Sequence, residues 1–165
     1  MRVFAVSGFS GRGKTSIVEA IVKTLHTKGY AVITVKSSKH NFQEEEGSDS
    51  WRHRQAGAKS TIIVGPSSTL IYHGERKALR EILTGTEADY LIIEGMKESD
   101  VPKFWCIGTA SIDYQYLPKS VKAVITWERQ GRGQGKGIPI IDADDVDTLV
   151  AIVEKEAIDL SMVNI

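Results

Sequence analysis

GFSGRGKT, Gly8-Phe9-Ser10-Gly11-Arg12-Gly13-Lys14-Thr15, is the stretch that decides the fold. It matches G-x-x-x-x-G-K-[ST], the Walker A phosphate loop, in full. Glycines let the backbone curl until successive amide hydrogens point inward as an anion nest. A helix starting near Lys14 adds its positive dipole end at the same spot. The Lys14 ammonium can reach the β and γ phosphates of a nucleoside triphosphate. The Thr15 hydroxyl can ligand Mg2+, which takes one or two protein oxygens beside phosphates. Gly8, Ser10, Gly11, Arg12, Gly13, Lys14 and Thr15 are thus the first nucleotide-binding candidates.

A glycine-rich turn can match this pattern by chance, so its flanks matter. Arg2–Ser7 (RVFAVS) runs straight in as a β-branched and aromatic apolar strand. Lys14–Lys28 runs straight out with Ile17, Val18, Ile21, Val22 and Leu25 at helical spacing, and Gly29 stands where a C-terminal cap belongs. Ala31–Lys36 (AVITVK) is a second strand. Strand, helix, strand is a βαβ unit, and such units build parallel sheets. The expected fold is α/β, a three-layer P-loop NTPase fold with a mainly parallel sheet and helices on both faces. The 165 residues fit one nucleotide-binding domain spanning 1–165.

Further along, Ser37–Ser50 lacks apolar periodicity and reads as an exposed loop. Ser50–Ala58 reads as a short helix with Asp49 or Ser50 as N-cap. Ser60–Val64 and Thr69–His73 are strands about a Gly65–Pro66 turn. Arg76–Leu83 is a helix closed by Gly85. Tyr90–Glu94, Lys103–Ile107 and Val121–Thr126 are strands. Gln130–Gly137 (QGRGQGKG) is low-complexity and basic, hence a flexible connector. Asp144–Ile158 is an acid-capped amphipathic helix.

Lysine plus arginine equals aspartate plus glutamate at 21 each, so global charge points to neither nucleic acid nor membrane. Met1–Ser7 is too short for a signal peptide, and no apolar run nears the ~20 residues of a membrane span. The cytoplasm is the expected location. The single cysteine, Cys106, cannot form an internal disulfide and sits in an apolar stretch, where it reads as a buried hydrophobe.

Phosphoryl-transfer P-loop proteins need a second carboxylate at the end of a neighbouring strand to hold Mg2+ or its waters. Tyr90-Leu91-Ile92-Ile93-Glu94-Gly95 supplies Glu94 where ligands of open α/β sheets collect. Read alone, Glu94 could merely end a strand at the surface; beside a phosphate loop the ligand role is favoured. Asp49 is the other acid, either a helix N-cap, a metal neighbour or both. Arg52, His53 and Arg54 beside it suit an anionic ligand, or a solvated helix face equally well.

These segments together resemble a known family. GFSGRGKTS, AVITVKSSKHNF, GSDSWRHRQAGA, YLIIEGMK and Pro102-Lys103 are similar in order and spacing to molybdopterin-guanine dinucleotide biosynthesis protein B, MobB, across nearly the whole chain. The resemblance implies a homodimer that binds GTP with Mg2+, hydrolyses it weakly and assists a MobA-like molybdopterin guanylyltransferase, with molybdopterin as a further ligand. It implies that Gly11, Gly13, Lys14, Thr15 and Ser16 hold phosphate and metal. Asp49 and Glu94 would sit around Mg2+ and the γ phosphate, Lys36 and His40 would line the cleft, and Lys97 and Lys103 would lie near it. Two departures stand out. Ser37 and Ser38 replace the histidines often found after the strand-two lysine. No N-K-x-D guanine-reading motif is present; Glu128, after Val121–Thr126, is an acceptor for guanine by position only.

The residues leave rivals open. A small-molecule kinase using ATP or GTP would employ the same loop, with Arg129 and Arg132 as lid arginines. A metal-insertion chaperone wants a Cys/His cluster, which His26, His40, His53, His73 and one cysteine do not supply. Arg12 and Arg52 are the only local candidates for an arginine finger, so slow turnover is expected, with Asp49 or Glu94 orienting the attacking water.

Overall fold

The structure is a computed structural model that describes residues 1–42, 44–128, 133–135 and 137–165. In chain order its strands and α-helices are β1 (Arg2–Gly8), α1 (Lys14–Thr27), β2 (Val32–Lys36), α2 (Asp49–Gln55), β3 (Ser60–Val64), β4 (Thr69–His73), α3 (Leu79–Ile82), β5 (Tyr90–Glu94), β6 (Lys103–Gly108), β7 (Val121–Thr126), β8 (Gly133–Gly135), β9 (Ile138–Asp142), α4 (Val146–Glu156) and β10 (Ile158–Asp159). They fall into two compact units: Met1–Ser38 with Glu87–Asn164, and Lys39–Thr86 with Ile165.

Among the described residues the first unit holds an eight-stranded sheet in the order β2-β5-β1-β6-β7-β9-β8, with β10 added to β1. The pairs from β2 through β9 are parallel; only β8 and β10 join antiparallel. This is the α/β class with a mainly parallel sheet that the βαβ pattern predicts. Strands covered on both faces read as unbroken apolar runs, and Val3–Val6 and Leu91–Ile93 are fully buried. On one face Phe4, Val6, Ile92, Phe104 and Ile125 meet Ile17, Ile21 and Leu25 of α1 and Leu149, Val150 and Val153 of α4. The opposite face carries Trp105, Val121 and Val124 with Ile107, Ile112 and Leu117. At the end of α1, Gly29 adopts φ +90 and the Tyr30 amide donates to Leu25 O at 3.1 Å, the closure expected of that glycine.

Several local expectations are corrected. Gly133–Gly135, read as flexible connector, forms β8 and pairs with β9, Gln134 opposite Pro139; a ladder is made of backbone groups, so low complexity does not forbid it. β9 itself was not visible in the sequence. Its Pro139 argues against a central strand, yet Ile140–Asp142 still pair with β7. The terminal helix starts at Val146 with Asp145 as cap and stops at Glu156, after which Ile158 and Asp159 return to β1. The helix expected over Arg76–Leu83 contracts to Leu79–Ile82.

The second unit contains the β3–β4 hairpin, paired from Ser60↔His73 to Val64↔Thr69 as its turn residues imply. Helix α2 runs over Asp49–Gln55, and its cap is Ser48, which accepts from the Trp51 amide at 3.3 Å. Asp49 and Ser50 therefore lie inside the first turn. The Arg54 guanidinium stacks 4.0 Å from the Tyr72 ring centroid and pairs with the Glu44 carboxylate.

Candidate nucleotide-phosphate site

β1 delivers the chain into the loop with no side-chain freedom left. Gly8 has φ +136, and a Cβ built on it would stand 2.3 Å from the carbonyl oxygen of Cys106 on β6. Only glycine passes that close to a neighbouring backbone. Gly13 is the N-cap of α1, left-handed at φ +78, and a Cβ there would meet Trp127 Nε1 at 2.1 Å. Among the described residues no side chain caps α1. Its first-turn amides, those of Lys14, Thr15 and Ser16, are thus left for an outside acceptor, at the positive end of a 14-residue helix.

Lys14 Nζ donates to Phe9 O at 2.7 Å, so the ammonium folds back over the loop. A phosphate oxygen is the stronger, anionic acceptor for it. Ser10 and Ser16 are exposed at the loop and the helix start. Arg12 packs its side chain along Gly108, with Cδ 3.1 Å from where a Cβ would stand.

The second carboxylate is where the sequence places it. β5 pairs with β1 in register, Val6 opposite Glu94. Thr15 Oγ1 lies 3.2 and 3.1 Å from the two Glu94 carboxylate oxygens, to which it donates. Lys36 Nζ stands 3.7 Å from Glu94 Oε1. The arrangement is held from behind: the Gly95 amide donates to Val6 O, the Ser7 hydroxyl to Gly95 O, and the Ser37 amide to Glu94 O. A groove of about 490 Å3 opens beside this cluster, lined by Thr15, Val18, Val22, Thr34, Lys36 and Glu94.

Hydroxyl and carboxylate oxygens side by side at a phosphate loop are hard donors that fit Mg2+. Among the described residues no group of three or more His, Cys, Asp or Glu is placed to hold a metal.

Other candidates belong to the second unit or follow β7. Asp49 and Arg52 sit on α2 of the second unit, 3.9 Å apart one turn along the helix, both largely exposed. His40 and His53 belong to that unit too. The structure therefore joins Lys14, Thr15, Lys36 and Glu94 in one unit and Asp49 with Arg52 in the other. Trp127 and Glu128 follow β7 in the first unit; the Trp127 amide donates to Gly108 O and the Glu128 amide to Thr126 Oγ1. Arg129 and Arg132 lie outside the described residues.

Two residues change meaning. Lys103 is fully buried, and its ammonium donates to the carbonyls of Met96, Lys97 and Ser99 at 2.9, 2.9 and 2.7 Å. Burial pulls its pKa down to about 8, against the pull of Glu98 and Asp100. It braces the segment after Glu94 and does not face a ligand. The signal was a lone cation in the apolar run VPKFWCIG. Ser7, a buried hydroxyl aimed at Gly95, had no signal in the sequence. Cys106 is fully buried, and burial pushes its thiol up to about 12, the inert small hydrophobe expected.

Residues 3–127 match the family model for molybdopterin guanine dinucleotide synthesis protein B. A molybdopterin-guanine dinucleotide biosynthesis adapter protein of Haemophilus influenzae is 31% identical over 107 residues, 61% of this chain and 60% of that protein. A putative adapter of the same description from Methanocaldococcus jannaschii is 31% identical over 110 residues, 62% of this chain and 46% of that protein. The chain thus spans about half to three-fifths of these curated relatives. The crystal structure of Bacillus subtilis MobB superposes with a TM-score of 0.78 at 26% identity, covering 96% of this chain and 99% of that one. Among the described residues no helix is long and apolar enough to cross a membrane.

Proposed function

The chain belongs to the molybdopterin guanine dinucleotide synthesis protein B family, and from that premise we propose that it is an adapter in molybdopterin guanine dinucleotide biosynthesis that binds Mg·GTP and hydrolyses it slowly. The observation that carries the nucleotide is the placement of the Thr15 hydroxyl and Glu94 carboxylate, 3.1–3.2 Å apart, beside the uncapped first turn of α1 and the Lys14 ammonium. The helix amides and Lys14 bind the phosphates. Thr15 and Glu94 would hold the Mg2+, which neutralises charge on the β and γ phosphates when bound. Glu94, with Lys36 fixing one of its oxygens, can also accept a hydrogen bond from an attacking water.

Slow turnover is supported by the arginines. Arg12 is laid along Gly108, and Arg52 is engaged with Asp49; an added arginine finger is worth ~10³–10⁵ in rate in GTPases. Guanine preference, the role of Asp49 and Arg52, and service to a MobA-like guanylyltransferase rest on family likeness. The homodimer has support of its own. Ile62, Ile63, Val64, Leu70 and Ile71 of the β3–β4 hairpin are all exposed, and a two-stranded hairpin is marginal in water unless its apolar faces are covered.

Calorimetric titration with Mg·GTP and Mg·ATP tests the reading. Binding that prefers GTP, together with stimulation of a purified molybdopterin guanylyltransferase, is expected. No heat with either nucleotide refutes the site, and equal displacement of GTP by ATP refutes the guanine claim. Ile62→Lys should turn a dimer into a monomer by light scattering; a wild-type monomer refutes the self-association.

A further inference from the structure

The segment after Glu94 is held more tightly than a connecting loop requires. Met96 has φ +49, the one non-glycine residue in the left-handed region among those described. Such a conformation persists only where its surroundings impose it. Here they do: all three Lys103 donors are matched by the carbonyls of Met96, Lys97 and Ser99. The Ser99 hydroxyl donates back to Met96 O at 2.9 Å, and Ser7 holds Gly95 O from β1.

What this brace aims is Lys97. Its ammonium lies 4.1 Å from the ring centroid of Phe9, the second residue of the phosphate loop. Lys14 holds the carbonyl of the same Phe9. The Phe9 ring is itself half-exposed and set edge-on to Trp105, with centroids 6.0 Å apart. Two ammonium groups, one from α1 and one from the loop after β5, thus converge on one residue of the phosphate loop. Glu94, three residues before Lys97, marks the metal side of that site through Thr15. A carboxylate that shares Mg2+ with the β and γ phosphates fixes where the terminal phosphate lies.

We propose that Lys97 is the cation that distinguishes a nucleoside triphosphate from the diphosphate, and that Lys103 is the positioning residue that holds its loop in place. The diphosphate offers Lys97 no terminal group, whereas Lys14 and the helix amides serve both nucleotides. This deepens the Mg·GTP reading and rests on it.

The test is calorimetry with a non-hydrolysable Mg·GTP analogue and with Mg·GDP, on wild type, Lys97→Met, Lys97→Arg and Lys103→Met. Losing one charge-assisted hydrogen bond should weaken the triphosphate analogue roughly 10- to 100-fold in Lys97→Met and leave GDP within about twofold. Lys97→Arg should restore most of the difference. Lys103→Met should lose triphosphate preference while binding GDP. A merely structural role for Lys103 would weaken both nucleotides alike, and that result removes it from the proposal. If Lys97→Met keeps the wild-type ratio of the two affinities, Lys97 is not the discriminating cation although the nucleotide reading stands. If wild type binds neither nucleotide, both fall together.

Discussion

Replacing Gly8 with alanine probes how the phosphate loop leaves the sheet. The new Cβ would stand 2.3 Å from Cys106 O, and real Cβ atoms do not approach within 3.0 Å, so β1 and β6 must part by at least 0.7 Å there. Neither side gives easily: the contact is backbone, Cys106 is fully buried, and Gly8 pairs with it in the ladder. Alanine at φ +136 costs about 1–3 kcal/mol in backbone strain. Loosening one ladder hydrogen bond adds about 1 kcal/mol. The sum, about 2–4 kcal/mol, is a large part of the ~5–15 kcal/mol that holds a domain together. Gly11→Ala is the control. It lies in the same loop at φ +69, with no described residue beyond its chain neighbours within 4 Å of the added carbon, so the left-handed conformation is what resists it, at about 1–2 kcal/mol. Urea unfolding followed by circular dichroism should find Gly8→Ala less stable than Gly11→Ala by about 1–2 kcal/mol. Equal stabilities, or the reverse order, would refute the argument that the Cys106 carbonyl dictates glycine at position 8.

Glu94→Gln should leave stability within about 1 kcal/mol, because glutamine keeps an oxygen that accepts from Thr15 and the ion pair it loses is with a Lys36 side chain that is 69% exposed. It should still remove most of the Mg2+ dependence of GTP affinity, seen by titration with and without EDTA; an undiminished metal effect would exclude Glu94 as a ligand. Lys103 gives a pH dependence. Its folded pKa of about 8 lies below the usual 10.5, so between those values the unfolded chain binds more protons and stability rises with pH. From pH 7.5 to 9.5 the gain is at most about 2 kcal/mol, since the carbonyl acceptors favour the charged form. Lys103→Met should flatten that rise in urea unfolding, and an unchanged slope would assign it to other groups. Cys106 should resist a thiol reagent in the native protein and react at the rate of unfolding; fast labelling at neutral pH would contradict its burial.

The amino-acid sequence by itself determined the parts whose cause is local. A glycine loop between an apolar strand and an amphipathic helix specifies the strand–loop–helix turn that opens α1, because left-handed glycines and helical spacing make it. YLIIE specifies a buried parallel strand ending in an acid, and the Gly65–Pro66 turn set both hairpin strands correctly. The tertiary structure alone decided what depends on distant neighbours. β9 exists because β7 and β8 pair with it, despite Pro139. Gly8 and Gly11 look alike in the chain, and only the Cys106 carbonyl separates them. Lys103 reads as one more site cation until three carbonyls are seen to take its donors. A residue's type tells what it can donate or accept; which groups stand within 3 Å of it is settled by strand order and register, and short-range patterns carry no record of those.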